Sequence, residues 1–161
     1  MNSMLKPILF IAILFLTSCG TTTYYVVRHA EKAAPTGNMS SDVPLSEEGK
    51  QRAEALKDVL QGKKIQHIYS TNTIRTTSTA KPLSEAIGLS IQTYDARDTG
   101  FVSRIKALPK GNVLIIGHSN TVDDLVNRLT NQQLLTDLPE TDYGDLFIIK
   151  KRKLKRSQFG N

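Results

Sequence analysis

The chain has 161 residues, of which 39% are hydrophobic and 22% charged, with a formal net charge of +6. That length provides for one domain with a single core, and that balance excludes both a disordered chain and a bundle of membrane-spanning helices. A single cysteine, Cys19, excludes an internal disulfide.

At the start of the chain, Lys6 precedes nine consecutive apolar residues, 8–16, which lead into Thr17, Ser18, Cys19 and Gly20. Nine residues fall short of the roughly 20 that a helix needs to cross a bilayer. A charged start, a short apolar run and small residues describe a secretory signal. Leu16-Thr17-Ser18-Cys19 resembles the lipobox of bacterial lipoproteins, in which the cysteine is lipidated and becomes the first mature residue. An ordinary signal peptide and an uncleaved anchor are the other readings. The expectation is a signal peptide over residues 1–18 and a mature domain over 19–161. Cys19 would hold that domain at a bacterial envelope membrane, most naturally the outer one.

Residues 23–27, Thr-Tyr-Tyr-Val-Val, form a β-prone run that ends abruptly in Arg28 and His29. Residues 33–41 are rich in Pro, Gly, Asn and Ser and read as a loop. Ser46 is an N-cap with Glu47 and Glu48 in the first turn, and Ala53, Leu56, Val59 and Leu60 give that helix its apolar stripe before Gly62. Residues 65–70 predict a second strand. His67 alternates there with Ile65 and Tyr69, as a structural residue would. Thr71, Asn72 and Thr73 are expected to cap the next helix, with Arg75 in its first turn and Pro82 as an interruption. A short strand over 90–94, a polar loop over 95–100 and a short helix over 101–108 follow.

Residues 113–116, Val-Leu-Ile-Ile, are continuously apolar, as in a parallel strand covered on both faces. Gly117 and His118 follow, then a helix over about 121–129. A last strand over 146–150 returns as a hairpin toward Phe159. Strands alternating with helices predict a mainly parallel, three-layer α/β sheet with helices on both faces.

Such sheets bind ligands beyond the carboxyl ends of their strands. There the first strand delivers Arg28 and His29, the second leads to Arg75, and the fourth delivers His118 before a helix N-terminus. Arginine forks and helix N-termini both favour anions, and neutral imidazole can serve as nucleophile or proton carrier. The convergence predicts a phosphate pocket. A zinc site built from His29, His118 and His67 is the weaker alternative, because arginines beside the ligands would repel the cation.

Residues 28–32 (Arg-His-Ala-Glu-Lys), 45–53, 69–80 and 117–119 (Gly-His-Ser) resemble, in order, the motifs of the histidine phosphatase (phosphoglycerate mutase-like) superfamily. The resemblance spans about residues 24–129. It implies that His29 takes up the phosphoryl group, that Arg28, Arg75 and His118 bind its oxygens, and that water then hydrolyses the phosphohistidine without a metal or other cofactor. Many members place an acidic residue after the third strand to protonate the leaving oxygen. Here Asp95 is the tentative acid, with Asp98 beside it in the same loop, and Glu31 is the alternative beside the nucleophile. The short connection over 70–90 leaves no room for a mutase-type cap, which argues for a small phosphatase with an open site.

The expected substrate is a phosphorylated small molecule or envelope component. The competing reading is a lipid-anchored, catalytically weak module that binds a phosphate ligand. Lys150, Lys151, Arg152, Lys153, Lys155 and Arg156 place six positive charges in seven residues, leaving the rest of the mature body nearly neutral. This strip reads first as a solvated edge strand protected by lysines, second as a contact for anionic lipid, and no nucleic-acid partner is expected.

Overall fold

The computed structural model describes residues 20–34 and 42–160. The expected signal peptide, Cys19 and most of the loop after the first strand lie outside these residues. Along the chain run β1 (Thr23–Arg28), α1 (Glu47–Leu60), β2 (Ile65–Thr71), α2 (Ile74–Ile87), β3 (Ile91–Tyr94), α3 (Phe101–Ala107), β4 (Asn112–Gly117), α4 (Ser119–Thr130), β5 (Asp145–Lys150) and β6 (Lys153–Gln158). One six-stranded sheet has the order β3-β2-β4-β1-β5-β6. The first four in that order are parallel, while β5 and β6 are antiparallel to their neighbours. This is the expected α/β fold, with the basic strip as its outermost strand, β6. No helix among the described residues is long and apolar enough to cross a membrane.

Alternation along the central strands splits the core in two. Val26, Val113 and Ile115 face α3 and α4, where they pack with Val122, Val126, Phe101 and Phe147. Val27, Leu114 and Ile116 face α1 and α2, where they pack with Leu56, Leu60 and Leu83. Each fully buried side chain of this size contributes about 1.5–3 kcal/mol. The two layers hold the carboxyl ends of β1 and β4 side by side, with Arg28 opposite Gly117.

Two local expectations are corrected. The N-terminus of α2 is capped from outside its own turn: Asp42 accepts from the Ile74 N–H with both carboxylate oxygens, at 2.9 and 3.1 Å. The Thr73 hydroxyl is turned instead to Thr76 Oγ1, at 2.8 Å. Pro82 does not interrupt α2. Its missing N–H removes one bond of the ladder, while buried Thr79, Ala80 and Leu83 keep the helix against the sheet. Ser46 caps α1 as expected, its Oγ accepting from Gly49 N–H at 3.1 Å.

Candidate active site

The turn after β1 is fixed from three sides. His29 N–H donates to Gly117 O at 2.9 Å, Ala30 N–H donates to Thr79 Oγ1 at 2.9 Å, and Ser46 N–H donates to Glu31 O at 2.9 Å. Gly49 packs directly on this turn, and a Cβ there would lie 2.1 Å from Glu31 O. No side chain larger than hydrogen fits without moving the segment that carries His29.

His29 is only 4% exposed. Its Nδ1 lies 2.8 Å from the carbonyl oxygen of Ala30. A carbonyl only accepts, so Nδ1 carries the proton and Nε2 keeps its lone pair. Burial, then the charges of Arg28 and Arg75, push the imidazole down from 6.5 to about 4, against the opposing effect of the Ala30 bond. The ring is therefore neutral across the physiological range. Desolvation leads here, with the arginines second.

Arg28 is 3% exposed. One terminal nitrogen donates to Pro139 O at 2.9 Å and the other to Glu140 Oε2 at 3.0 Å. Its guanidinium stacks 4.3 Å above the Tyr143 ring. Its Nε is buried and has no hydrogen-bond partner among the described residues. Such an orphaned donor in a buried cation is costly unless a ligand oxygen meets it.

His118 stands edge-on to His29, with ring centroids 5.4 Å apart. Its Nε2 is 2.9 Å from Thr71 Oγ1, which in turn donates to Thr76 Oγ1 at 3.1 Å. Because that hydroxyl proton is already committed, Nε2 is the donor to Thr71 and Nδ1 is the acceptor. A terminal nitrogen of Arg75 faces that Nδ1 at 3.4 Å. Burial, then Arg75 and Arg28, push His118 down to about 4 as well. Arg75 is also paired with Asp42, at 3.4 Å.

The structure thus brings Arg28, His29, Arg75 and His118 together. His67 lies elsewhere, stacked on Tyr69 with centroids 6.3 Å apart. The described residues contain no group of three or more His, Cys, Asp or Glu side chains that could hold a metal ion.

The two tentative acids fall in different surroundings. Asp95 lines a cavity of about 520 Å³ together with His118, Thr71, Asn72 and Arg97. Its carboxylate accepts from the Arg97 backbone N–H at 2.9 Å, and that bond, with the Arg97 side chain, holds it below the ordinary carboxylate range. Glu31 is gripped by Arg52, whose Nε meets its two carboxylate oxygens at 2.8 and 2.9 Å. Burial raises Glu31, but the Arg52 bonds outweigh it and the carboxyl ends below its usual value. Arg52 also donates to Phe159 O at 3.0 Å, so Glu31 ties the turn after β1 to the end of β6.

Glu140, Tyr143, Asp42 and Thr71 are site residues that the sequence did not single out. Only Thr71 had a signal, since it ends a strand on the ligand side of the sheet.

Residues 24–96 match the model of the histidine phosphatase superfamily, branch 1, a span that includes Arg28, His29 and Arg75. Over that span, 73 of the 161 residues, the chain is similar to that superfamily. No curated protein matches it. Among solved structures it is similar to the protein histidine phosphatase SixA complexed with tungstate (19% identity, 86% of this chain and 96% of that one, TM-score 0.65). It is also similar to a protein described as mycobacterial hydrolase 1 (15%, 86% and 96%, TM-score 0.65). A third is an Entamoeba histolytica phosphoserine phosphatase in complex with 3-phosphoglyceric acid (13%, 87% and 97%, TM-score 0.63). At these identities the likeness is one of fold, and it covers nearly the whole of each relative.

Proposed function

We propose that the chain is a phosphatase that transfers a phosphoryl group to Nε2 of His29 and then to water. The match of residues 24–96 to the histidine phosphatase superfamily supports a hydrolase acting on phosphoryl groups. The observation that carries the mechanism is the His29 Nδ1 bond to Ala30 O, which leaves a neutral ring with its lone pair on Nε2.

In the first step the Nε2 lone pair attacks phosphorus, the bond from phosphorus to the leaving group breaks, and the leaving group departs with that electron pair. The ring becomes a phosphorylated imidazolium whose Nδ1–H stays on the Ala30 carbonyl, so the new charge meets an acceptor already in place. Arg28, through its unpartnered Nε, and Arg75 meet the charge that builds on the phosphoryl oxygens. In the second step water attacks phosphorus, the P–N bond breaks, and its electrons return to Nε2. The water proton leaves with phosphate or through a nearby carboxylate.

Neither Asp95 nor Glu31 keeps a proton at neutral pH, since both are held below the ordinary range. That favours substrates whose leaving group needs little protonation, such as aryl phosphates, anhydrides and phosphoramidates. One of the similar structures is a protein histidine phosphatase, and an N-phosphohistidine is a phosphoramidate, which makes that class the first to assay. Hydrolysis of an aryl phosphate, an alkyl phosphate and an N-phosphohistidine peptide by wild type and His29→Ala tests the reading. The aryl and N-phosphoryl substrates should turn over well ahead of the alkyl one, and His29→Ala should be inactive on all three. Full activity in His29→Ala contradicts it.

We also propose that the chain is held at a bacterial envelope membrane through a lipidated Cys19. The lipobox-like run into that residue supports this. Cys19→Ser should release the protein from the membrane fraction, and unchanged fractionation would count against it.

A further inference from the structure

At the end of the sheet remote from His29, two cavities flank the backbone of Gly20 and Thr21, one of about 670 Å³ and one of about 450 Å³. Lys64, Lys106, Lys110, Lys151 and Arg152 line them, and no acidic residue does. The topology gathers these cations. Lys64 precedes β2, Lys110 precedes β4, and Lys106 lies in the last turn of α3. Lys151 and Arg152 form the two-residue turn between β5 and β6, next to Lys150, which pairs with Thr23 at the start of β1. The acidic residues of the catalytic end, Asp42, Asp95 and Glu140, lie past the opposite ends of the strands. Six residues of β1 at about 3.3 Å each separate the two ends by roughly 20 Å.

The backbone adds an independent observation. Four non-glycine residues among those described have positive φ: Lys64 (51°), Asn131 (59°), Lys151 (50°) and Arg152 (63°). All four line these same two cavities. Asparagine tolerates that conformation, whereas lysine and arginine do so at a cost of about 1–2 kcal/mol each. A two-residue hairpin turn of this kind favours Asn-Gly, yet this one carries Lys-Arg. Part of the charge has a structural duty: Lys106 Nζ donates to Arg128 O at 2.7 Å and Arg152 Nε to Thr130 O at 3.2 Å, both satisfying the last turn of α4. Lys64, Lys110 and Lys151 have no such partner among the described residues, and α4 gains nothing from them.

We infer that this basic end is a docking face for an anionic lipid bilayer. Gly20, the residue after Cys19, emerges between the cations, so the chain leading toward the expected anchor leaves from the face that would rest on the headgroups. The site at the other end then points away from the membrane. Each lysine or arginine near an anionic surface adds to binding, and the attraction is screened by salt. The inference stands on charge placement and does not depend on phosphatase activity.

The test is co-sedimentation of the full chain carrying Cys19→Ser with vesicles of phosphatidylcholine alone, and with vesicles containing about one-third phosphatidylglycerol. The apolar run at residues 8–16 contributes equally to both, so the difference reads the basic end. The expected result is tighter binding to the phosphatidylglycerol vesicles, lost on raising salt from about 0.1 to 0.5 M. Reversing Lys64, Lys110 and Lys151 to Glu together should remove at least a tenfold preference, with an unchanged melting temperature showing an intact fold. Equal binding to both vesicle types, or a preference that survives the triple reversal, overturns the proposal.

Discussion

The Nδ1–H of His29 is bonded to the carbonyl oxygen of Ala30 at 2.8 Å, and that bond decides which ring nitrogen can react. The residue supplying the acceptor is the next one along the chain, so the tautomer is built into the turn itself. The turn is held by Gly117 O, Thr79 Oγ1 and the start of α1. Loosening any of these should misplace the nucleophile without touching its chemistry.

Arg28 is held by two contacts that differ in kind. Glu140 is 73% exposed and gives a charge pair, while Tyr143 gives a stacking surface. Arg28→Ala removes the buried cation proposed to meet the phosphoryl oxygens and should lower kcat/KM by on the order of 10²-fold or more. Glu140→Gln should lower it far less, about threefold to tenfold, because the Glu140 carboxylate is screened by solvent and Pro139 O and Tyr143 still hold the guanidinium. Steady-state kinetics on one aryl phosphate check both; equal losses would mean that Glu140 has a direct part in the reaction.

Stability should fall as the solution becomes acid through a definite window. His29 and His118 are pushed down from 6.5 to about 4 in the folded state. As pH falls below about 6.5 the unfolded chain takes up protons that the folded chain refuses. The stability contribution is therefore complete above that pH and is lost between about 6.5 and 4. Melting temperatures measured across pH 7.5 to 4 should decline steadily in that range. In His29→Ala the decline should be shallower, and an identical slope would contradict the depressed histidine.

Glu31 and Asp95 should separate stability from chemistry. Glu31 and Arg52 are 21% and 14% exposed, and a charged hydrogen-bonded pair at that depth is worth about 1.5–3 kcal/mol. Glu31→Gln should lower the melting temperature by several degrees and leave the ratio of alkyl to aryl phosphate turnover unchanged. Asp95→Asn should leave the melting temperature alone. If Asp95 does supply the proton to the leaving oxygen, alkyl turnover falls strongly and aryl turnover little. The pairing of Asp95 with Arg97 predicts that both rates stay within about twofold.

The sheet and the four convergent residues were legible because each depended on local pattern. The Val-Leu-Ile-Ile run of β4 admits little but a buried parallel strand, Arg28 ends β1, and His29, Arg75 and His118 follow strand ends in the chain. Residues that act through long loops were not legible. Asp42 caps α2 from 32 positions away, and Glu140 reaches Arg28 from 112 positions away. Neither sits in a pattern that marks its partner. Thr71 was misread for a different reason: Thr-Asn-Thr has strong capping propensity, and the tertiary demand of His118 for an acceptor redirected its hydroxyl. Pro82 misled likewise, since one lost backbone bond weighs less than the buried face of α2.

The proposed reaction passes through one covalent species, a phosphoryl group on Nε2 of His29. Rapid mixing with excess aryl phosphate, quenching in base to preserve phosphohistidine, and peptide mass spectrometry would locate it. One phosphoryl group is expected on the peptide containing His29, absent from His29→Ala and prolonged in lifetime when hydrolysis is slowed by cold. Steady turnover with no phosphorylated His29, or a phosphoryl group on another residue, would contradict it.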